Sequence, residues 1–202
     1  MAMTVSIAIL AKAPIPGFAK TRLIPAIGAP AAATVQERLT EQTVATACAA
    51  GLGKVTLWCA PDPTHASFRG LAARFPVVLA QQPSGDLGVR MLATFANGPT
   101  LATGTDCPPL TVAHLQRAAA TLAQADIVVI PAEDGGYVLI GAQAAHASLF
   151  DCIAWGTDRV LAETRARAAS AGLSLAALDP LWDVDSEEDL VRMERERPML
   201  AL

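Results

Sequence analysis

The sequence has only four cysteines in 202 residues, and Cys48, Cys59, Cys107 and Cys152 form no C-x-x-C pair and share no repeating interval. That spacing argues against a disulfide framework or a structural zinc site and fits a reduced, cytoplasmic setting. Charge of one sign is also scarce. A net charge of −4 and a pI near 5.3 give no broad pull towards nucleic acid or an anionic membrane. Affinity for phosphate therefore has to come from a local cluster. No apolar run reaches the roughly 18 residues of a membrane-spanning helix. The opening Met1-Ala-Met-Thr-Val5 lacks the basic and long apolar regions of a signal peptide. His65, His114 and His146 have no metal-like spacing, no Ser–His–Asp set can be assembled, and no repeat, low-complexity tract or flexible linker interrupts the chain.

What remains is apolar and regularly patterned. Hydrophobic residues make up 52% of the chain, much of it alanine, which favours packed helices over disorder. The length fits one domain spanning residues 1–202, long enough to bury roughly 70% of its unfolded surface. Short apolar runs at Val5–Ala11, Val55–Ala60, Val77–Ala80, Thr100–Gly104, Ile127–Pro131 and Leu173–Leu178 read as strands covered on both faces. Amphipathic stretches at Pro30–Ala50, Thr64–Phe75, Leu87–Ala96, Thr111–Ala123 and Thr157–Ala171 read as helices, and Ser186-Glu-Glu-Asp189 as the capped start of a last one. Gly136–Gly141 lies too close to Ile127–Pro131 for a helical crossover, so it joins the sheet antiparallel or turns away. The predicted fold is α/β, a doubly wound and mostly parallel sheet.

The loops are chemically lopsided. Those leading from helix to strand are short and bland, whereas those leaving strands hold most of the unusual residues. In open α/β sheets ligands bind outside the carboxyl ends of the strands, so these loops should crowd around one crevice. The first, Lys12-Ala-Pro-Ile-Pro-Gly-Phe-Ala-Lys-Thr-Arg22, carries Lys12, Lys20 and Arg22 on a segment stiffened by prolines and released by Gly17. Cations held this way suit a polyphosphate; the plain alternative is a solvated loop. A P-loop is excluded, because Gly17-Phe-Ala-Lys-Thr21 lacks the Gly-Lys-Ser/Thr adjacency and the earlier glycine.

The second, Pro83-Ser-Gly-Asp-Leu-Gly88, opens a helix whose first N–H groups can bind a phosphate or a base edge, with Asp86 as a simple N-cap the alternative. Asp106, in Thr105-Asp-Cys-Pro-Pro109, stands where a strand stops and can hold Mg2+, which takes few protein carboxylates. Asp183 and Asp185 share one face if their segment is extended, although Asp185 can equally precede the last helix. Cys107 is a small packing residue, since Mg2+ or Mn2+ prefers oxygen. In Glu133-Asp-Gly-Gly-Tyr137, Glu133 or Asp134 can bind hydroxyls of a sugar or acceptor, and Gly135 and Gly136 admit close backbone approach; a tight turn with solvated acids is the other reading.

Five motifs in order, Ala11 to Leu23, Gly85-Asp-Leu-Gly88, Gly104-Thr-Asp-Cys-Pro108, Glu133-Asp-Gly-Gly-Tyr137 and Trp182-Asp-Val-Asp-Ser186, span nearly the whole chain. Together they resemble a bacterial family of glycosyltransferase-A-like proteins close to the phospholactate guanylyltransferases. The resemblance implies a nucleotide-diphospho-sugar transferase fold, nucleotide at the first loop and a divalent metal between strand-end acids. By that resemblance Lys12, Lys20 and Arg22 match phosphate contacts, with Ala11, Gly17 and Thr21 in the same loop. Asp106 and Asp185 match metal ligands, and Gly85 to Gly88, with Asp86, the base-side loop. Leu-x-x-Gly-x-Gly, the loop of better-known sugar nucleotidyltransferases, is absent, so their substrates do not transfer.

Three functions are then in view. A nucleotidyltransferase needs cations for departing pyrophosphate and a metal, which Lys20 and Asp106 would supply as the catalytic pair. A glycosyltransferase using a nucleotide-sugar typically binds its metal through Asp-x-Asp on the middle strand, where Thr105-Asp-Cys107 has a single acid. A non-catalytic nucleotide-binding module has no need of basic loop and acids together. The first is favoured: a Mg2+- or Mn2+-dependent transferase acting on a nucleoside triphosphate, or a nucleotide-sugar in the alternative, and a small-molecule acceptor, without nucleic-acid partners.

Overall fold

Along the first strand, β1 (Ser6–Lys12), side chains alternate between two cores, as the period of two requires. Ile7, Ile9 and Ala11 enter one cluster, while Ala8 and Leu10 face the other. The computed structural model describes residues 4–200 and 202; Met1–Met3, part of the segment read above for a signal peptide, lie outside the described residues. Six further strands follow: β2 (Val55–Ala60), β3 (Val77–Gln81), β4 (Thr100–Thr103), β5 (Ile127–Pro131), β6 (Tyr137–Ala142) and β7 (Leu175–Ala177). They form one seven-stranded sheet in the order β3-β2-β1-β4-β6-β5-β7. Every neighbouring pair is parallel except those made by β6, which runs antiparallel to both β4 and β5. Of the two courses open to Gly136–Gly141, the chain takes the antiparallel one. The expected mostly parallel α/β sheet is the fold observed.

The described residues form six α-helices, of which the first five pack on the sheet: α1 (Ile24–Ala49), α2 (Ala66–Arg74), α3 (Leu87–Thr94), α4 (Val112–Leu122), α5 (Val160–Ser170) and α6 (Glu187–Glu196). Helices α1, α2 and α4 bury Val44, Phe68, Leu71, Leu115 and Leu122 against the Ile7–Ile9 face. Helices α3 and α5 bury Met91 and Ala168 against the opposite face. Among the described residues, no helix is long and apolar enough to cross a membrane.

Helix α1 begins earlier than the predicted Pro30. It is two helical segments joined at Gly28, whose φ of 79° and ψ of 159° are not helical. Pro25 and Pro30 thus each sit in the first turn of a segment, the position proline tolerates. This kink carries the chain from the first loop onto the sheet face. The crevice is placed by topology: from β1 the chain winds outward through β2 and β3, then returns to the other side of β1 as β4. The carboxyl ends of β1 and β4 therefore flank the switch point where α/β sheets bind ligands.

Strand β6 is held by a steric constraint. Gly141 pairs with Leu101 on one side and Val128 on the other, and a Cβ there would lie 2.6 Å from Leu101 Cδ2 and 2.7 Å from Val128 Cγ1. We predict that Gly141→Ala lowers the unfolding free energy by about 1–3 kcal/mol, the usual cost of overpacking a core; urea denaturation would measure it.

Candidate active site

The acids after β7 owe their positions to an extended segment that alternates. Trp182 and Val184 are buried in a third core with Leu23, Val35, Leu39, Leu190 and Met193. Asp183 and Asp185, between and after them, are turned out on the other side. The Val184 N–H donates to the Asp106 carbonyl at 2.9 Å, bringing the segment beside the end of β4. Asp185 is fixed from behind, since its N–H donates to Asp189 Oδ2 at 3.0 Å, while Ser186 caps α6. A buried chain supports Asp106: Gln36 Nε2 donates to Thr105 Oγ1 at 3.0 Å, and Thr105 Oγ1 donates to Asp106 Oδ1 at 3.2 Å.

Into this group projects Lys20. Its side chain is only 4% exposed, and its Nζ lies 3.1 Å from Asp106 Oδ1 and 3.6 Å from Asp185 Oδ1. The same ammonium donates to the Val184 carbonyl. Lys20 also holds a left-handed backbone, with φ 49° and ψ 42°. A non-glycine residue keeps that conformation only where its surroundings impose it, commonly at functional sites. Arg22 is exposed and pairs with Asp185, Nη1 to Oδ2 at 2.7 Å. Thr21 and Arg22 lie in the short 3-10 turn Thr21–Leu23 that leads into α1.

Among the described residues Asp183 forms no ion pair. Burial, then the neighbouring charges of Asp134, Asp185 and Asp106, push its carboxyl up to about 6, against the lowering influence of Lys20. Burial also pushes the Cys107 thiol up to about 12, with the nearby acids adding to the effect, so the sulfur stays protonated.

The other half of the crevice is a cleft of about 420 Å3 beyond β1, β2 and β3, lined by Lys12, Phe18, Gln82, Ser84 and Arg90 among others. The volume falls within the roughly 300–1,000 Å3 of small-molecule sites. Lys12 ends β1, beside the buried Ala11, and Gly17 (φ 83°) turns the loop so that Phe18 is exposed at the rim. The Gln82 amide is oriented by two acceptors, donating from Nε2 to Ala11 O at 3.1 Å and Trp58 O at 2.9 Å. Its Oε1 is left as a fixed acceptor. Arg90 is tied through Nε to Gly85 O at 3.1 Å, which leaves its other guanidinium nitrogens for a ligand.

The helix-start loop behaves partly as its plain alternative. Asp86 is the N-cap of α3, accepting from the Val89 N–H at 2.9 Å. Gly88 is buried, and a Cβ there would lie 2.8 Å from Phe150 O and 3.2 Å from Trp155 Cζ2, so its close approach is to protein. The same holds for Gly135, where a Cβ would fall 2.2 Å from Asp158 O.

The segment from Glu133 to Tyr137 is a tight turn between β5 and β6. Asp134 Oδ1 accepts from the Gly136 N–H at 2.9 Å, and Gly135 O accepts from the Leu161 N–H at 3.0 Å. Glu133 is engaged by Arg192, whose Nη1 lies 2.9 Å from Oε2 and whose guanidinium covers the Trp182 ring at 4.5 Å. Asp134 is exposed and near enough to Asp183 to raise its carboxyl. The Tyr137 hydroxyl is buried without a hydrogen-bond partner, as is Trp155 Nε1. The structure thus gathers Lys20, Arg22, Asp106, Asp183, Asp185 and Asp134 at the switch point, with Lys12 beside it in the cleft. It also adds Phe18, Gln82 and Arg90, which sequence reasoning missed. Arg90 was detectable as the one cation on the predicted helix Leu87–Ala96; Gln82 had no such signal.

Comparison with known proteins agrees with this architecture. The chain is similar to a protein of Desulfovibrio desulfuricans G20 named provisionally as a nucleotide-diphospho-sugar transferase, at 26% identity and a TM-score of 0.84 over 96% of this chain and 89% of that one. It is also similar to a nucleotidyl transferase of Methanothermobacter thermautotrophicus, at 15% identity and a TM-score of 0.64 over 98% of each chain. A Mycobacterium tuberculosis H37Rv protein solved with manganese matches at 15% identity and a TM-score of 0.52 over 96% of this chain and 100% of that one. The last two likenesses concern fold alone, and the fold is that of the nucleotide-diphospho-sugar transferases. No curated protein matches the chain. Residues 43–157, more than half of the sequence, match the model of the family described as "Uncharacterized protein conserved in bacteria (DUF2064)", and the chain belongs to that family.

Proposed function

We propose that the chain is a nucleotide-using transferase that catalyses nucleotidyl transfer. In this reaction an oxygen of a small-molecule acceptor attacks the α-phosphate of a nucleoside triphosphate. The new oxygen–phosphorus bond forms as the bond to the β-phosphate oxygen breaks, and pyrophosphate leaves. The observation that carries the reading is the meeting of Lys20 and Arg22 with Asp106, Asp183 and Asp185 at the switch point, next to a cleft carrying Lys12 and Arg90. A site that holds both signs of charge in reserve suits a substrate made of polyphosphate and cation. The resemblance to phospholactate guanylyltransferases and the likeness to a nucleotidyl transferase support the same reaction.

Asp106, Asp183 and Asp185 fit a divalent cation, Mg2+ or Mn2+. They are hard oxygen donors, and Asp183 is a half-buried carboxylate whose ionised form calls for a positive neighbour. Among the described residues no three such groups already form a cage, and Lys20 stands between Asp106 and Asp185. Magnesium needs only one or two protein carboxylates when phosphate and water complete its shell. Bound with the polyphosphate, the ion would neutralise charge developing on the leaving group. The chain's own residues do the rest. Lys12, Arg22 and Lys20 bind the phosphates, Gln82 and Arg90 orient the nucleoside in the cleft beside Phe18, and Asp134 faces the acceptor side.

A second reading, sugar transfer from a nucleotide-sugar, is favoured by the name of the Desulfovibrio relative. It would release nucleoside diphosphate instead. Incubating the protein with nucleoside triphosphates, Mg2+ and a library of phosphorylated and hydroxyl acceptors should yield pyrophosphate in a coupled pyrophosphatase assay. Nucleoside diphosphate from nucleotide-sugars, with no pyrophosphate from any triphosphate, would replace the first reading by the second. In the productive reaction Asp106→Asn should cut kcat by about 100-fold, as losing a charge-handling group typically does, and should also lower the melting temperature, because the buried Lys20 ammonium loses its nearer carboxylate. Arg90→Ala, which removes binding that is equal in the ground and transition states, should raise the nucleotide KM about tenfold and spare kcat.

The pH dependence follows from Asp183. Its neutral form persists up to about pH 6, so its donor oxygen is fully ionised only above that value. Metal affinity should therefore fall as pH drops through about 6, and Asp183→Asn should flatten that step. Calorimetric titration of Mn2+ in the presence of nucleotide, from pH 5 to pH 8, would read it.

A further inference from the structure

The cations suited to phosphate are already committed to the acids suited to metal. Lys20 reaches Asp106, Asp185 and the Val184 carbonyl, and Arg22 reaches Asp185. The first loop and the two acidic segments thereby neutralise one another in the free protein. We propose that Lys20, the phosphate-binding cation of the loaded site, serves in the free protein as an internal counter-cation that keeps the carboxylates in place and makes divalent-cation binding depend on the nucleotide. The inference rests on the metal-dependent nucleotide reading given above.

The physical case is one of unequal alternatives. An ion arriving alone must displace an ammonium that is only 4% exposed and has three acceptors around it. The displaced Lys20 would remain largely buried with no partner, which is the costly way to break a buried pair. An ion arriving with a polyphosphate brings new acceptors for Lys20 and Arg22 as it takes the carboxylates. Partners are exchanged, and no charge is stranded. By linkage the dependence is reciprocal, so nucleotide without metal also binds weakly.

Free Mn2+ titrated against the nucleotide-free full chain, with the unbound ion read by electron paramagnetic resonance, tests this. Removing a positive charge from beside the carboxylates should strengthen the binding of Mn2+ alone. Lys20→Met is expected to bind it about tenfold more tightly than wild type, and Arg22→Ala, which removes an exposed cation, about threefold more tightly. A Mn2+ affinity equal to or weaker than wild type in both folded variants overturns the proposal. Should Lys20→Met fail to fold by circular dichroism, Arg22→Ala decides by the same criterion. Nucleotide binding by wild type with saturating Mn2+ separates the two levels of inference. Wild type that binds nucleotide while both variants leave Mn2+ affinity unchanged overturns the counter-cation role alone; wild type that binds no nucleotide overturns the functional reading and this inference with it.

Discussion

A single ammonium holds the crevice together. At Lys20 the first loop, the end of β4 and the segment after β7 meet through one group, and it is nearly sealed from solvent. A buried charge of this kind is tolerated only with excellent pairing and further hydrogen bonds, and Lys20 has both. The Thr105 and Gln36 hydroxyl–amide chain behind Asp106, and the α6 capping box behind Asp185, keep the carboxylates where the ammonium requires them. Apolar packing serves the same end. Trp182 and Val184 enter a small core with Leu23 and Leu39, so the residues next to the charges are anchored on both sides of the contact.

The crevice is built on two halves of one sheet. Strands β1, β2 and β3 carry the cleft with Lys12, Gln82 and Arg90, whereas β4, β5 and β7 lead into the acids. The antiparallel β6 is confined to the second half, and its hairpin turn is pinned to the start of α5 through Gly135. On the proposed reading, recognition of the nucleoside and handling of the acceptor fall to separate halves, joined at the phosphates.

Much of this was legible in the sequence because apolar runs and turn residues are local signals. The strands at Val55–Ala60 and Ile127–Pro131 have their predicted bounds, and the crowding of chemistry into loops that leave strands located the crevice. The alternation of Trp182, Asp183, Val184 and Asp185 put both acids on one face, as an extended backbone dictates. What was hidden depends on contacts between distant segments. Nothing near Lys20 in the sequence says that it will face Asp106 and Asp185, nor does Arg192 announce itself as the partner of Glu133. Glycines misled for a similar reason. Gly88 and Gly135 invite close approach, but the approaching groups are Phe150, Trp155 and Asp158 of the chain itself.

The contact between Lys20 and the Val184 carbonyl closes a span of 164 residues. The first loop cannot make this contact until the segment after β7 is in place beside it. On the proposed reading, detachment of the carboxyl-terminal segment would leave Lys20 without two of its acceptors and so disturb the phosphate site before the sheet itself is touched.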